Sequence, residues 1–162
     1  MLHVRELRED DLPFLREMLY AALDWRPGVE LPPRDVILAH PQVVIFHDGW
    51  GREGDAGVVA EEDGRPVGTA WWRFFTDEEH GEGNVDADTP ELAIAVVDGF
   101  RGRGIGRALM EAMHEHGRQL GLRRVSLSVD ADNPAKRLYA SLGYVELEPG
   151  DENGRMLLEL AD

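Results

Sequence analysis

Residues 91–107, with the sequence ELAIAVVDGFRGRGIGR, join an apolar strand to a glycine-rich loop and then to the start of a helix. The run from Leu92 to Val97 is apolar throughout, as a strand covered on both faces requires. Apolar residues then recur at helical spacing over residues 105–120, and Gly121 is typical of a residue that ends a helix. A helix that begins after a glycine loop presents unpaired N–H groups and the positive end of its dipole. This segment therefore predicts a binding site for an anion.

Positive charge is concentrated on the same part of the chain. From Arg101 to Arg124 there are six arginines and two glutamates, a local charge of +4, whereas the whole chain has a formal net charge of −15. Because arginine suits phosphate, the anion is expected to be a phosphate. Two nucleotide motifs fail: no lysine followed by Ser or Thr is present for a P-loop, and Arg107 stands where a Rossmann fingerprint needs its third glycine.

Composition sets the class of protein. A chain of 162 residues, 43% of them hydrophobic, predicts one domain over residues 1–162 with one sizeable core. The chain has no cysteine, which excludes disulfides, thiolate metal sites and a cysteine nucleophile. Its acidity disfavours nucleic acid and anionic membranes as partners. The charged start and the lack of a long apolar run lead us to expect a cytoplasmic protein with no membrane segment.

The remaining elements alternate between strand and helix patterns. We predict strands at 2–7, 56–61, 67–75, 124–130, 144–147 and 156–160, and helices at 12–23 (capped by Asp11), 34–39 and 134–142. Asp63-Gly64 predicts a hairpin turn, and residues 76–89 form an acidic loop. This order predicts one α/β domain with a mixed sheet.

Two segments resemble the GNAT superfamily of acetyl-CoA-dependent N-acetyltransferases. Arg-x-x-Gly-x-Gly at 101–106 is similar to the Q/R-x-x-G-x-G/A motif that wraps the CoA pyrophosphate in that family. Residues 133–144, NPAKRLYASLGY, resemble the family segment that runs from Asn through Ala and Leu-Tyr to Gly-Phe. The resemblance implies a central, mostly antiparallel mixed sheet flanked by helices, with a splayed pair of parallel strands that holds CoA. Val97-Asp98 departs mildly from the family pattern, which leaves the CoA role intact.

The resemblance also implies roles for individual residues. Tyr139 is expected near the thioester sulfur as a general acid, Asn133 on the CoA arm, and Glu91 where many members carry a base or a water-holding acid. The main chain of the central strand is expected to hold the pantetheine arm (Ile94, Ala95, Val96). The amides of the loop are expected to hold the pyrophosphate (Arg101, Gly102, Arg103, Gly104, Ile105, Gly106, Arg107). No metal is expected.

The implied reaction transfers an acetyl group from acetyl-CoA to a primary amine. An alkyl amine with a pKa of about 10.4 must lose a proton before it attacks, so a base or an ordered water is required. Glu91 is the first candidate for the base, and acidic-loop residues remain open alternatives (Glu82, Asp86, Asp88, His80). Without a cysteine an enzyme thioester is impossible, so direct attack in a ternary complex is expected.

The same residues are compatible with a second function and with several acceptors. The runner-up function is a non-catalytic module that binds an acyl-CoA as a sensor. The acceptor is a small-molecule amine or an amine of a peptide or protein, and the acidic loop favours a cationic one such as a polyamine. A homodimer is common in the family. We further predict that His116 packs in the core. The tryptophans are expected in the core or at its rim, with a place in the acceptor pocket as the alternative (Trp25, Trp50, Trp71, Trp72).

Overall fold

The computed structural model describes residues 1–160. Its strands are Leu2–Glu6 (β1), Ala56–Glu62 (β2), Arg65–Arg73 (β3), Glu91–Val96 (β4), Arg124–Ser128 (β5), Val145–Glu146 (β6) and Arg155–Glu159 (β7). Its helices are Leu12–Leu23 (α1), Arg34–Ala39 (α2), Pro41–Val44 (α3), Ile105–Gln119 (α4) and Ala135–Ser141 (α5), and a 3₁₀ turn, Glu9–Asp11, precedes α1. The predicted domain 1–162 includes two residues, Ala161 and Asp162, that lie outside the described ones.

The strands form one seven-stranded sheet in the order β1-β2-β3-β4-β5-β7-β6. Within residues 1–160, β4 and β5 pair in parallel and the other neighbours pair antiparallel. The predicted α/β fold with a mostly antiparallel mixed sheet is therefore confirmed. The predicted hairpin turn is present as well. Asp63 and Gly64 both have positive φ, 52° and 81°, which a two-residue turn of the I′ type requires.

Strands β4 and β5 separate almost as soon as they meet. They share one register pair, Glu91 with Ser126, beside a hydrogen bond from the Ser126 N–H to the Pro90 carbonyl of 3.0 Å. All six residues of β4 pair with β3, and the Val97 N–H, just beyond β4, still donates to the Val67 carbonyl on that side at 2.8 Å. Because backbone groups alternate along a strand, those of Ile94 and Val96 point into the open wedge.

Helices cover the two faces of the sheet. Helices α4 and α5 cover one face over a core that includes Trp72, Leu109 and Met113, and α1 covers the other over Trp71 and Leu15. Trp71 and Trp72 are neighbours in β3 and lie on opposite faces, each with no exposed surface. Both are core residues, as expected for tryptophan, and the alternative that one of them faces the substrate groove is wrong.

The buried face of α4 is displaced by one residue from the predicted one. His114 is 3% exposed and its Nε2 lies 2.8 Å from the Tyr144 hydroxyl, whereas His116 is half-buried and stacks on Trp72. The predicted core histidine was therefore the wrong one of the pair. Met110 is fully buried, and His114 lies four residues later on the same face of α4. The spacing of apolar residues did not by itself show that this face is the buried one.

Asp11 precedes α1 as predicted but does not cap it through its side chain. Its carboxylate accepts both Arg5 guanidinium N–H groups at 2.8 Å and the Arg8 backbone N–H at 2.8 Å. A charged hydrogen bond with two well-placed donors is stronger than a cap to one backbone N–H. The side chain consequently ties the end of β1 to the start of α1.

Candidate active site

One cavity of about 790 Å³ opens where β4 and β5 separate. Its floor is β4, and the glycine loop with the start of α4 closes one end. The end of β5 and helix α5 form a side wall, and α1, α3 and the segments after them form the opposite end. The cavity therefore brings residues from both motif segments to one place. Within residues 1–160, no cluster of three or more His, Asp or Glu side chains is arranged to hold a metal ion.

The glycine loop forms the basic end of the cavity. Gly102 and Gly104 have φ of 79° and 82°, and Gly104 is the residue directly before α4. A Cβ added to either would meet no atom within 4 Å, so the space over the loop is open to a ligand. Arg101 and Arg107 line the cavity beside them. These features fit a phosphate, because open backbone N–H groups, a helix N-terminus and two arginines converge on one volume.

Arg103 differs from its neighbours in the loop. Its guanidinium lies 5.0 Å over the ring of Phe100, and the residue is not part of the cavity lining. Only its main chain remains for the predicted role at the phosphates. Arg107, in contrast, donates to the Ser141 hydroxyl at 2.6 Å, which links the start of α4 to α5.

The loop gives a direct prediction for cofactor affinity. We expect Gly104→Asp to weaken acetyl-CoA binding about 10- to 30-fold, because it places a negative charge at the phosphates and a side chain at positive φ. The matched control is Gly99→Asp. Gly99 also has positive φ, 90°, and open space around it, but it lies outside the cavity lining. Titration calorimetry measures both, and equal losses would show that the loop does not bind the phosphates.

Glu91 lies at the start of β4 with its carboxylate enclosed. The residue is 3% exposed, and its Oε2 accepts the Gly83 N–H at 3.0 Å. Its Oε1 is buried and has no hydrogen-bond partner among the described residues, although Glu91 lines the cavity. Burial raises the pKa of this carboxyl group to about 7. Near neutral pH the group is therefore poised between accepting and releasing a proton.

Two glycines of the acidic loop make this enclosure. A Cβ on Gly81 would lie 2.5 Å from the Glu91 Oε2, and one on Gly83 would lie 2.7 Å from the Leu127 carbonyl carbon. Only glycine lets the backbone pass so close to the carboxylate. Neither glycine was predicted from the sequence to take part in the site. The signal available was the pair of glycines flanking Glu82 inside an otherwise acidic loop.

The other base candidates lie outside the cavity. Asp86 pairs with Arg124, Glu82 and Asp88 are exposed, and His80 has its Nδ1 2.8 Å from the Gly81 carbonyl. None of the four belongs to the cavity lining. Of the five base candidates, Glu91 is therefore the one that belongs to the cavity lining among the described residues.

Tyr139 faces the cavity from α5. It is 8% exposed, and burial raises its pKa to about 12, so the phenol keeps its proton at neutral pH. Its ring meets that of Tyr144 edge to face, at 6.1 Å between centroids, and Tyr144 is held by His114. Asn133 also lines the cavity, but its Oδ1 accepts the Ala135 N–H at 3.0 Å. The Asn133 NH₂ group is the part left for a ligand.

A model of the acetyltransferase (GNAT) family matches residues 9–144, and this chain belongs to that family. The predicted family is thereby confirmed. No helix within residues 1–160 has the length and apolar character needed to cross a membrane.

Curated relatives agree with this family. A mycothiol acetyltransferase of Propionibacterium freudenreichii subsp. shermanii is 27% identical over 144 residues, which is 88% of this chain and 43% of that protein. An uncharacterized N-acetyltransferase of Methanocaldococcus jannaschii is 35% identical over 100 residues, which is 60% of this chain and 42% of that protein. The chain thus spans less than half the length of these relatives.

Solved structures share the fold over nearly the whole chain. An N-acetyltransferase from Staphylococcus aureus Mu50 has a TM-score of 0.71 at 18% identity, and 99% of each chain is covered. YncA from Salmonella typhimurium, a putative acetyltransferase solved with its cofactor acetyl-CoA, has a TM-score of 0.66 at 21% identity, with 99% of this chain and 95% of that one covered.

Proposed function

We propose that this protein transfers an acetyl group from acetyl-CoA to a primary amine by direct attack in a ternary complex. The observation that carries the proposal is the shared cavity, in which the glycine loop, Glu91 and Tyr139 meet. The phosphates of CoA would lie at the loop, and the pantetheine arm along the main chain of Ile94 and Val96 in the wedge. The main chain of Ala95, which was also expected to hold the arm, faces β3 instead, although the residue lines the cavity. The Asn133 NH₂ group would donate to the same arm.

Glu91 and Tyr139 divide the proton transfers between them. The Glu91 carboxylate, directly or through a water, takes a proton from the ammonium group and leaves a neutral amine. The amine nitrogen attacks the thioester carbonyl carbon, so that a C–N bond forms and the C–S bond breaks. Tyr139 donates a proton to the leaving sulfur, which departs as the free thiol. The attacking nitrogen releases its surplus proton to solvent as the amide forms, and Tyr139 recovers a proton from solvent. The burial that raises the pKa of the phenol also disfavours a bare thiolate, so the donation is useful there.

A titration and a turnover assay together test this function. We expect calorimetry to detect acetyl-CoA binding, and we expect a thiol reagent to detect free CoA only when an amine from a panel is present. Binding without thiol release on any amine would favour the acyl-CoA sensor instead. Absence of acetyl-CoA binding would contradict both functions.

A further inference from the structure

The end of the cavity farthest from the glycine loop is apolar. We call it the acceptor end, and its lining comprises seven apolar residues and one polar residue, Gln42: Leu19, Ala21, Ala22, Leu23, Trp25, Val43 and Phe46 are the apolar ones. Leu23 is 40% exposed although it is a large apolar residue, and Trp25 is only half-buried. An apolar surface left open inside a cavity is suited to an apolar ligand.

This apolar surface adjoins the Glu91 carboxylate. A Cβ on Gly81 would lie 2.6 Å from the Phe46 Cζ and 2.5 Å from the Glu91 Oε2, so the ring edge and the carboxylate border the same point. The Phe46 ring is held against Phe75 at 5.4 Å between centroids. Phe46 and Glu91 both line the cavity, so an amine whose body rests on the ring is placed near Glu91, whose Oε1 has no hydrogen-bond partner among the described residues.

The Trp25 ring at the acceptor end is also held in place. The Arg26 guanidinium lies 4.5 Å over the Trp25 ring and pairs with Asp130 and Asp132, which belong to the loop after β5. The ion pairs join the segments on the two sides of the cavity. Trp25 is thereby presented as a wall of the site before any ligand arrives.

The cavity lining contains one negative group among the described residues. Glu91 is the only acidic residue of the cavity lining within the described chain, and the charged residues at the opposite end are Arg101 and Arg107. Acidic-loop carboxylates are used elsewhere: Asp86 pairs with Arg124, and Glu79 lies 3.3 Å from Arg52. One ammonium group finds an acidic partner in the lining, and the exposed carboxylates nearest to it, Asp130 and Asp132, already pair with Arg26. A second ammonium group that lies against the apolar side chains has no acidic partner in the lining.

We infer that the acceptor is a primary amine with one ammonium group on an apolar or aromatic body, held by Trp25 and Phe46 with its nitrogen at Glu91. This inference rests on the proposed function, since it assigns this end of the cavity to the acceptor. It narrows the expectation that the acidic loop favours a cationic amine, for which a polyamine, a lysine side chain and a peptide amino terminus were all candidates. That loop surrounds Glu91 with backbone, and its own carboxylates lie outside the cavity lining.

Binding to the CoA-loaded protein tests the inference without any turnover. Titration calorimetry in saturating CoA is expected to show that 2-phenylethylamine binds at least tenfold more tightly than spermidine. Phenylalanyl-glycinamide is the second probe, and comparing its affinity with that of 2-phenylethylamine shows whether the site prefers a peptide amino terminus or a small free amine. Tighter binding of either probe than of spermidine supports the inference. Equal or tighter binding of spermidine overturns it. Thiol release from acetyl-CoA is measured separately, so a protein that binds 2-phenylethylamine but never releases thiol contradicts only the proposed function.

Variants locate the binding to the named side chains. We expect Trp25→Ala and Phe46→Leu each to weaken 2-phenylethylamine binding about five- to tenfold and to leave CoA binding within about twofold. Tyr20→Ala is the matched control, because Tyr20 is a half-buried aromatic residue of α1 outside the cavity lining. A loss of 2-phenylethylamine binding in the control equal to that in the variants overturns the assignment, as does unchanged binding in both variants.

Discussion

Replacing Tyr139 by phenylalanine is expected to lower kcat by about 100-fold or more and to change the Kd of acetyl-CoA by less than about threefold. The variant keeps the ring that packs against Tyr144 and removes the hydroxyl that faces the cavity. The sulfur then leaves without a proton donor in a site where solvent access is small. Steady-state kinetics with saturating acetyl-CoA and amine measure the change, and calorimetry measures the affinity.

Tyr144→Phe is the control for Tyr139→Phe. It removes a buried hydroxyl from the neighbouring ring, but Tyr144 lies outside the cavity lining and its partner is the His114 Nε2 at 2.8 Å. We expect a loss of stability of about 1–3 kcal/mol from the unpaired histidine, with kcat within about threefold of the parent. An unchanged kcat in Tyr139→Phe, or equal losses of kcat in both variants, would remove the general-acid role.

Sequence alone predicted the fold and the basic end of the site because both depend on local patterns. The apolar strand, the glycine loop and the helix after it occupy consecutive residues, and the second motif lies within residues 133–144. Element bounds agree to within two residues along most of the chain. In the structure, one cavity is lined by Gly102, Gly104, Asn133 and Tyr139, which come from both motif segments. The chemical roles of these residues remain proposals.

The acceptor end could not be predicted because its contacts join distant parts of the chain. Phe46 and Gly81 meet at the Glu91 carboxylate, and no residue pattern links their three segments. The same limit explains the tryptophans. Adjacent residues in a strand face opposite sides, but only the packing shows that both sides of β3 are covered at Trp71 and Trp72.

The charge pattern divides along the cavity. Arginines lie at the glycine loop, and the acidic-loop carboxylates lie outside the lining and pair in part with other arginines. One buried carboxylate, Glu91, stands between a site for anions and a site for an amine. Its environment therefore matters more to the proposed reaction than the net charge of −15 does.

Replacing Glu91 by glutamine is expected to lower kcat by about 100- to 1000-fold, because the amine then lacks a base of matched pKa. In the parent, burial raises the Glu91 pKa to about 7, so kcat should rise with pH through about 7 and then level off. This rise of kcat with pH should be absent in Glu91→Gln. Glu82→Gln is the control, because it removes the same charge from an exposed residue outside the cavity and should leave kcat within about twofold.

The same variant should be more stable than the parent at alkaline pH. The folded pKa of Glu91, about 7, exceeds the ordinary value of 4.5, so between these pH values the folded state holds a proton that the unfolded state has lost. Stability from this group therefore falls as pH rises from 4.5 to 7, and above pH 7 the buried charge costs its full amount. Glu91→Gln escapes this cost. We expect a gain of about 1–3 kcal/mol at pH 8, several degrees in Tm, that disappears near pH 4.5. A variant less stable than the parent at pH 8, or a pH-independent difference, would show that Glu91 does not hold a raised pKa.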